Sequence, residues 1–282
     1  MIKMKELNIT PNMATELLKQ NTGNFRQINQ GRVLRYADDM RHERWMFSGD
    51  PIRFDIDGQL LDGQHRLKAI IASGTTQRMV LMEGLLNESA LTMDKGQPRS
   101  VRSWLTHKGT KNAVNVSSIA KHVMMHRKNC WHVIAWGSAY SSDSEIIQFA
   151  EDHDDTLQSA FRIANHVGKK SGIGTTILGA IMHEAAYPET CESIELCQWF
   201  CESMERGIGL SKTDAVYHLR ERLTVKHATQ KESPFMVRTL STIAWNRTAE
   251  QLPTKVLRYN LVGPQKSEPV MRIVNLSGFE VI

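Results

Sequence analysis

The chain has 282 residues, 41% hydrophobic and 23% charged, the composition of an ordinary soluble globular protein with room for one large domain or two modest ones. Disorder, collagen-like repeats and a membrane span are excluded, since no stretch approaches the roughly 20 apolar residues a bilayer requires. Lys plus Arg exceed Asp plus Glu by 35 to 30, too small an excess to establish a nucleic-acid partner.

In chain order, the start MIKMKELNITPNM lacks the apolar core of a secretory signal, and the expected location is the cytoplasm. Thr10-Pro11 then opens a helix carrying Met13, Leu17 and Leu18 at helical spacing. A polar loop, Asn21 to Asn29, leads to a second helix from Gln30 to about Arg44. Trp45 to Phe47, Ile52 to Phe54 and Gln59 to Leu61 read as short strands, the last two joined by a hairpin through Asp57-Gly58. Leu67, Ala69, Ile70 and Ile71 form a third helix that Ser73-Gly74 ends, and Met79 to Glu83 is another strand. After about residue 100 the strand signal disappears. Helical patterns run through Val101 to Leu105, Val116 to His126, Ser144 to Ala150, Leu157 to His166, Thr175 to Ala186, Ser193 to Met204, Asp214 to Leu223 and Phe235 to Ala249. The tail from Val256 is read as one more strand or a loose arm. The expected architecture is α+β: an α+β domain over residues 1–98 and a helical domain over 99–282.

Charge is unevenly distributed. Between Asp94 and Asp143 there is no acidic residue, while Lys95, Arg99, Arg102, Lys108, Lys111, Lys121, Arg127 and Lys128 all fall there, with His107, His122, His126 and His132. A polyanion is attracted to such a segment, more strongly below about pH 6.5 as histidines protonate. The alternative is a solvated basic face beside the acidic run Asp143 to Asp155.

The most informative run is Leu60-Leu61-Asp62-Gly63-Gln64-His65-Arg66-Leu67, a strand passing through Asp-Gly directly into a helix. Gly63 permits a sharp turn, the first N–H groups of the helix lack carbonyl partners, and His65 and Arg66 add donors, a geometry suited to phosphate. The plain alternative is a turn in which Asp62 caps the helix and Arg66 pairs with it.

These residues resemble a known family. The DGQHR run, preceded by a helix and by Trp45 to Ile52, looks like the N-terminal domain of the ParB/sulfiredoxin superfamily, over roughly residues 8 to 105. Gly63, His65 and Arg66 match the sulfiredoxin loop that binds ATP phosphates; Gly63 and Arg66 match the ParB loop that binds a cytidine nucleotide. Gln64 stands where sulfiredoxin needs its cysteine, so sulfinic-acid reduction is not expected. No clear helix-turn-helix follows, so chromosome partitioning is not supported either. The helical part, with Tyr217 to Leu223 and Ala244-Trp245-Asn246, is similar to ParB-like proteins of bacteriophages and actinobacteria. The resemblance implies a nucleotide- and DNA-associated protein with an NTP, and Mg²⁺ beside it, as cofactors. Phosphates would lie on Gly63, Gln64, His65 and Arg66 with Arg26 and Arg99. Asp62 would be the catalytic carboxylate, and Asp62 or Asp94 would hold Mg²⁺.

Asp94 to Ser100 offers an Asp, a Gly turn and an Arg-Ser helix start, which reads equally well as a domain linker with Ser100 as N-cap. Asp50, Asp55 and Asp57 are further carboxylates near the loop, each also a natural turn residue. Several features are set aside. His183-Glu184 begins like the zinc-protease motif, but Tyr187 occupies the second ligand position. Cys197 and Cys201, a helical turn apart, are read as core thiols, so no zinc is expected. All four cysteines, Cys130 and Cys191 included, are read as reduced. Trp104, Trp131 and Trp136 are read as core, although an exposed indole would stack on a base.

The expectation for function is therefore NTP binding with hydrolysis or phosphoryl transfer, and nucleic acid, DNA in particular, bound by Arg102, Lys108, Lys111, Lys121, Arg127 and Lys128. The competing readings are a non-enzymatic DNA-binding regulator, a ParB-like nuclease and a phage DNA-modification or protection factor. No membrane partner is expected, and a homodimer is left open.

Overall fold

The hydroxyl of Thr10 accepts the backbone N–H of Met13 at 3.2 Å, and Pro11 begins helix α1, Pro11–Lys19. In the computed structural model, which describes residues 1–21, 27–93, 100–128, 141–186, 191–225 and 232–257, this helix follows strand β1, Lys3–Ile9. Helix α2 is Gln30–Arg41, β2 is Pro51–Asp55, β3 is Leu60–Asp62, α3 is Gln64–Ser73 and β4 is Gln77–Leu85. The strands form one mixed sheet in the order β1-β4-β2-β3. β2 and β4 are parallel neighbours, which requires the crossover that β3 and α3 supply. α3 packs on α1 and α2, and one apolar cluster including Ile9, Met40, Ile52, Phe54, Leu67, Ile70 and Leu81 joins helices to sheet.

The hairpin between β2 and β3 turns at Gly58, whose φ of +80° suits glycine. Asp55 holds it: the carboxylate accepts the backbone N–H of Asp57 at 2.9 Å and of Gln59 at 2.8 Å. Asp55 is thus a turn residue. α3 ends where Gly74 adopts φ +73°.

Two local readings are corrected. β1 was not anticipated, because its burial is almost all exposed and only Ile9 at its end is buried; pairing with β4 makes it a strand. Trp45 to Phe47 is not a strand, and α2 stops at Arg41. Glu43 takes φ +58°, the backbone N–H groups of Arg44 and Trp45 both return to the carbonyl of Asp39, and Trp45 lies edge-on to Tyr36 at 5.0 Å. The chain folds back on its helix here, which leaves no extended backbone to pair.

By internal contacts the chain forms two units. The first is residues 1–99 with 137–145; the second is residues 100–136 with 146–282. Ser142, in the first unit, donates its hydroxyl to the buried carboxylate of Asp39. That hydroxyl also accepts the backbone N–H of Glu145 at 3.0 Å, at the start of α6, Asp143–Asp152.

Among its described residues the second unit contains helices and no strand: α4 is Val101–His107, α5 Ala113–Arg127, α7 Asp154–Val167, α8 Thr175–Ala186, α9 Cys191–Arg206, α10 Ala215–Arg220 and α11 Pro234–Ala249. A π turn, Glu221–Val225, extends α10. α8 is buried on nearly every side. Gly179 makes that possible, since a Cβ there would meet Cδ1 of Ile119 on α5 at 2.6 Å. Cys197 and Cys201 are free thiols in the core, each pushed up to about 12, in both cases mainly by burial. No helix among the described residues is long and apolar enough to cross a membrane. The architecture is α+β. The tail beyond residue 257 lies outside the described residues.

Candidate functional site

Gly63 sits between β3 and α3 with φ +109°, a conformation that side chains resist. A Cβ there would also come within 2.9 Å of Cγ2 of Ile52, a fully buried core residue. No side-chain hydrogen bond caps α3 at Gly63, and the start of this ten-residue helix lies on the wall of a cavity of about 260 Å³. Its wall contains Gly63, Gln64, His65 and Arg66, and also Arg32, Tyr36, Trp45, Asp50 and Arg53. Three guanidiniums and two carboxylates, Asp50 and Asp62, therefore face it, an excess of one positive charge.

Each loop side chain has a defined use. Arg66 donates to the carbonyls of Asp50 and Pro51, the latter at 2.9 Å, and to Oδ2 of Asp62 at 2.9 Å. Arg53 donates to the same Oδ2 at 2.7 Å. Asp62 does not cap the helix; it anchors two guanidiniums. Mg²⁺ usually takes one or two carboxylates along with substrate phosphates, and a carboxylate already shared by two arginines is a poor fit. The catalytic and Mg²⁺-holding roles expected of Asp62 are not supported by this arrangement. Among the described residues no three His, Cys, Asp or Glu side chains converge as a metal site. His65 accepts the backbone N–H of Asn29 on Nε2 at 3.0 Å, which ties the loop to the start of α2. Gln64 is buried, with Oε1 3.4 Å from Nδ2 of Asn21.

Arg26, Asp94 and Arg99 lie outside the described residues. Arg32, Tyr36, Trp45 and Arg53 were not anticipated. Arg32 stands one turn into α2, whose N-cap Asn29 also touches His65, so helix start and loop meet at one place.

No protein-family model, curated protein or solved structure matches this chain. The site must be read from its own chemistry.

In the helical unit the expected DNA-binding residues separate. Arg102, Lys108 and Lys111 are exposed; Lys121 and Lys128 are half-buried. Arg127 is committed elsewhere. Its guanidinium grips the buried Glu184 through Nη2 at 2.9 Å and Nε at 3.1 Å, and it stacks over Phe149 at 5.0 Å. It is withdrawn from the expected nucleic-acid face. His122 cannot supplement that face at mildly acid pH, because burial pulls its pKa down to about 4. Trp104 reverses the core expectation: it is 40% exposed, with Nζ of Lys108 5.4 Å from its ring. Its Nε1 lies 3.4 Å from Glu151, so acidic α6 borders the basic window in space. Trp131 and Trp136 lie outside the described residues.

Proposed function

We propose that the protein binds the phosphate groups of a nucleotide in the cavity above Gly63. The observation that carries this is the left-handed Gly63 starting α3 beneath a rim of Arg32, Arg53 and His65. Backbone N–H groups and guanidiniums are the two donors phosphates favour. The aromatic pair Tyr36 and Trp45 on the same wall offers a surface for a base or ribose. At about 260 Å³ the cavity lies just below the roughly 300–1,000 Å³ of typical ligand pockets, a size that suits the phosphate end of a nucleotide. The resemblance to ParB and sulfiredoxin loops supports the same reading. Hydrolysis or phosphoryl transfer, with Mg²⁺ brought in on the phosphates, is the enzymatic form of it.

The second reading is a non-enzymatic nucleic-acid binder. It is favoured by the exposed Trp104 beside Lys108, with Arg102 and Lys111 on the same stretch, where a base would stack and phosphates would pair.

Thermal melts of the full chain with ATP, CTP, GTP, UTP or inorganic phosphate, each with and without Mg²⁺, test the first reading. A ligand at one hundred times its Kd should raise Tm by roughly 5–10 °C, and Arg32→Ala should abolish most of that rise. No shift with any of them would overturn it. Phosphate release above the blank, also lost in Arg32→Ala, marks turnover. Binding of single-stranded DNA that weakens with salt and with Trp104→Ala, in a chain that nucleotides do not stabilise, marks the second reading.

A further inference from the structure

A hydroxyl, an imidazole and a carboxylate lie in hydrogen-bonded line inside the helical unit, in a place no motif indicated. Oγ1 of Thr156, in the first turn of α7, is 3.2 Å from Nε2 of His183 on α8. Nδ1 of the same ring is 3.1 Å from Oε1 of Glu184. Arg127 on α5 holds Glu184 through two nitrogens, and the rings of Phe149 and His153 pack on His183, the latter stacked at 5.9 Å. An ionised Glu184 keeps the imidazole proton on Nδ1, which leaves the Nε2 lone pair facing the hydroxyl. The threonine proton has a second acceptor, the carbonyl of His153 at 3.0 Å, so the hydroxyl is shared between a local helix contact and the imidazole.

This line ends at a cavity. About 210 Å³ of space is lined by Thr156 and His183 together with Ala160, Ile163, Met182 and Ala186. Ser159 and Arg162, farther along α7 and joined by a 2.9 Å hydrogen bond, also line it with Ile194 and bring polar donors to the cavity. The imidazole side chain itself is fully buried, and only the threonine side of the relay is half-exposed.

We propose that Thr156, His183 and Glu184 form a hydroxyl-activating relay that cleaves esters of short apolar acyl groups seated in this cavity. Nucleophile, base and orienting carboxylate stand in the order acyl transfer needs. Thr156 Oγ1 attacks the acyl carbon while its proton passes to Nε2 of His183. The ester C–O bond breaks, the leaving oxygen takes that proton and departs as the alcohol, and the acyl group remains on Thr156. Water, deprotonated by the same Nε2, then releases the carboxylic acid and restores the threonine. Thr156 and His183 are the catalytic residues; Glu184 and Arg127 are positioning residues.

The base must be neutral. Burial lowers the His183 pKa, against the opposing pull of Glu184 and with Arg127 and His153 adding to the lowering. The rate should therefore hold below the ordinary histidine value of 6.5 and fall only in more acid solution.

The test uses the full chain with p-nitrophenyl butyrate and, separately, a small alkyl fluorophosphonate. Expected are p-nitrophenol release at least tenfold above heat-denatured protein, with the pH profile just described, and one adduct that peptide mapping places on Thr156. Thr156→Val, isosteric and unable to form an acyl ester, should lose both; Thr156→Ser should keep both. Release no faster than from denatured protein overturns the proposal. So does an adduct spread over other residues, or a Thr156→Val variant that melts like wild type and reacts as fast.

Discussion

The Gly63 loop and the core around Glu184 each bring arginine, histidine and an acid together, and they are built differently. At the Gly63 loop, Arg53, Arg66 and Asp62 are 13–23% exposed in their side chains, and a further cation, Arg32, stands exposed at the cavity rim. In the helical unit Glu184 and His183 are 3% and 0% exposed, and Arg127 is drawn onto them. The first cluster keeps cationic capacity facing a cavity. The second spends its charges on one another and leaves only a neutral imidazole and a hydroxyl at a cavity wall. Arginine in a basic stretch is therefore no measure of what a ligand meets; its partners decide that.

The largest effect should come from breaking the second cluster. Arg127→Met keeps the stem packed on Phe149 but leaves the Glu184 carboxylate buried without its bidentate partner. Removing one member of such a pair typically costs 3–5 kcal/mol, and the partial exposure of Arg127 favours the lower end, about 3 kcal/mol. Urea denaturation followed by circular dichroism would measure it. A loss under about 1 kcal/mol would show that the pair behaves as a surface ion pair and that the two clusters are alike.

In the first cluster the corresponding break is in the backbone. Gly63→Ala forces a side chain into φ +109° and pushes its Cβ toward Ile52, for about 2–4 kcal/mol of strain and overpacking together. The same melt reads it. Phosphate protection should be lost in parallel, because the turn aims the N–H groups of α3.

How far these clusters were legible in the sequence follows from how local they are. The Gly63 loop and the Gly58 hairpin were readable because a turn is decided by adjacent residues. Helix α8 runs from Thr175 to Ala186 as its apolar pattern indicates. The rim of the cavity was not readable: Arg32, Tyr36 and Trp45 arrive from α2 and the fold-back after it, and periodicity does not say which face of one helix meets another loop. Nor could the fate of Arg127 be read, since Glu184 lies 57 positions away along the chain. β1 was missed for the opposite reason. It is an edge strand whose apolar signal is weak and whose pairing partner, β4, begins near residue 77.

Acid should act mainly on the second unit. The folded pKa of His122, about 4, lies below its ordinary 6.5, so between those values the unfolded chain binds the extra proton and stability falls as pH drops. At pH 5 the loss from this one residue is about 2 kcal/mol relative to pH 7. His183 is shifted the same way and deepens the slope; Glu184, shifted down from 4.5, adds to it only below that value. In His122→Asn the difference between melts at pH 7 and pH 5 should shrink by about 2 kcal/mol. An unchanged difference would mean His122 reaches solvent.

The smallest stability effect separates two arginines of the Gly63 cluster. Arg32→Ala removes an exposed side chain at the cavity rim, and its melt without ligand should stay within about 0.5 kcal/mol of wild type. Arg66→Lys, by contrast, should lose on the order of 1–2 kcal/mol, because a lysine cannot reproduce the fork that joins two carbonyls and Asp62. If Arg32→Ala loses phosphate protection while Arg66→Lys keeps much of it, the loop arginine is a brace and the helix arginine meets the anion. If the two losses are reversed, Arg66 leaves its carbonyls to reach the ligand, and the division of labour inside the first cluster must be redrawn.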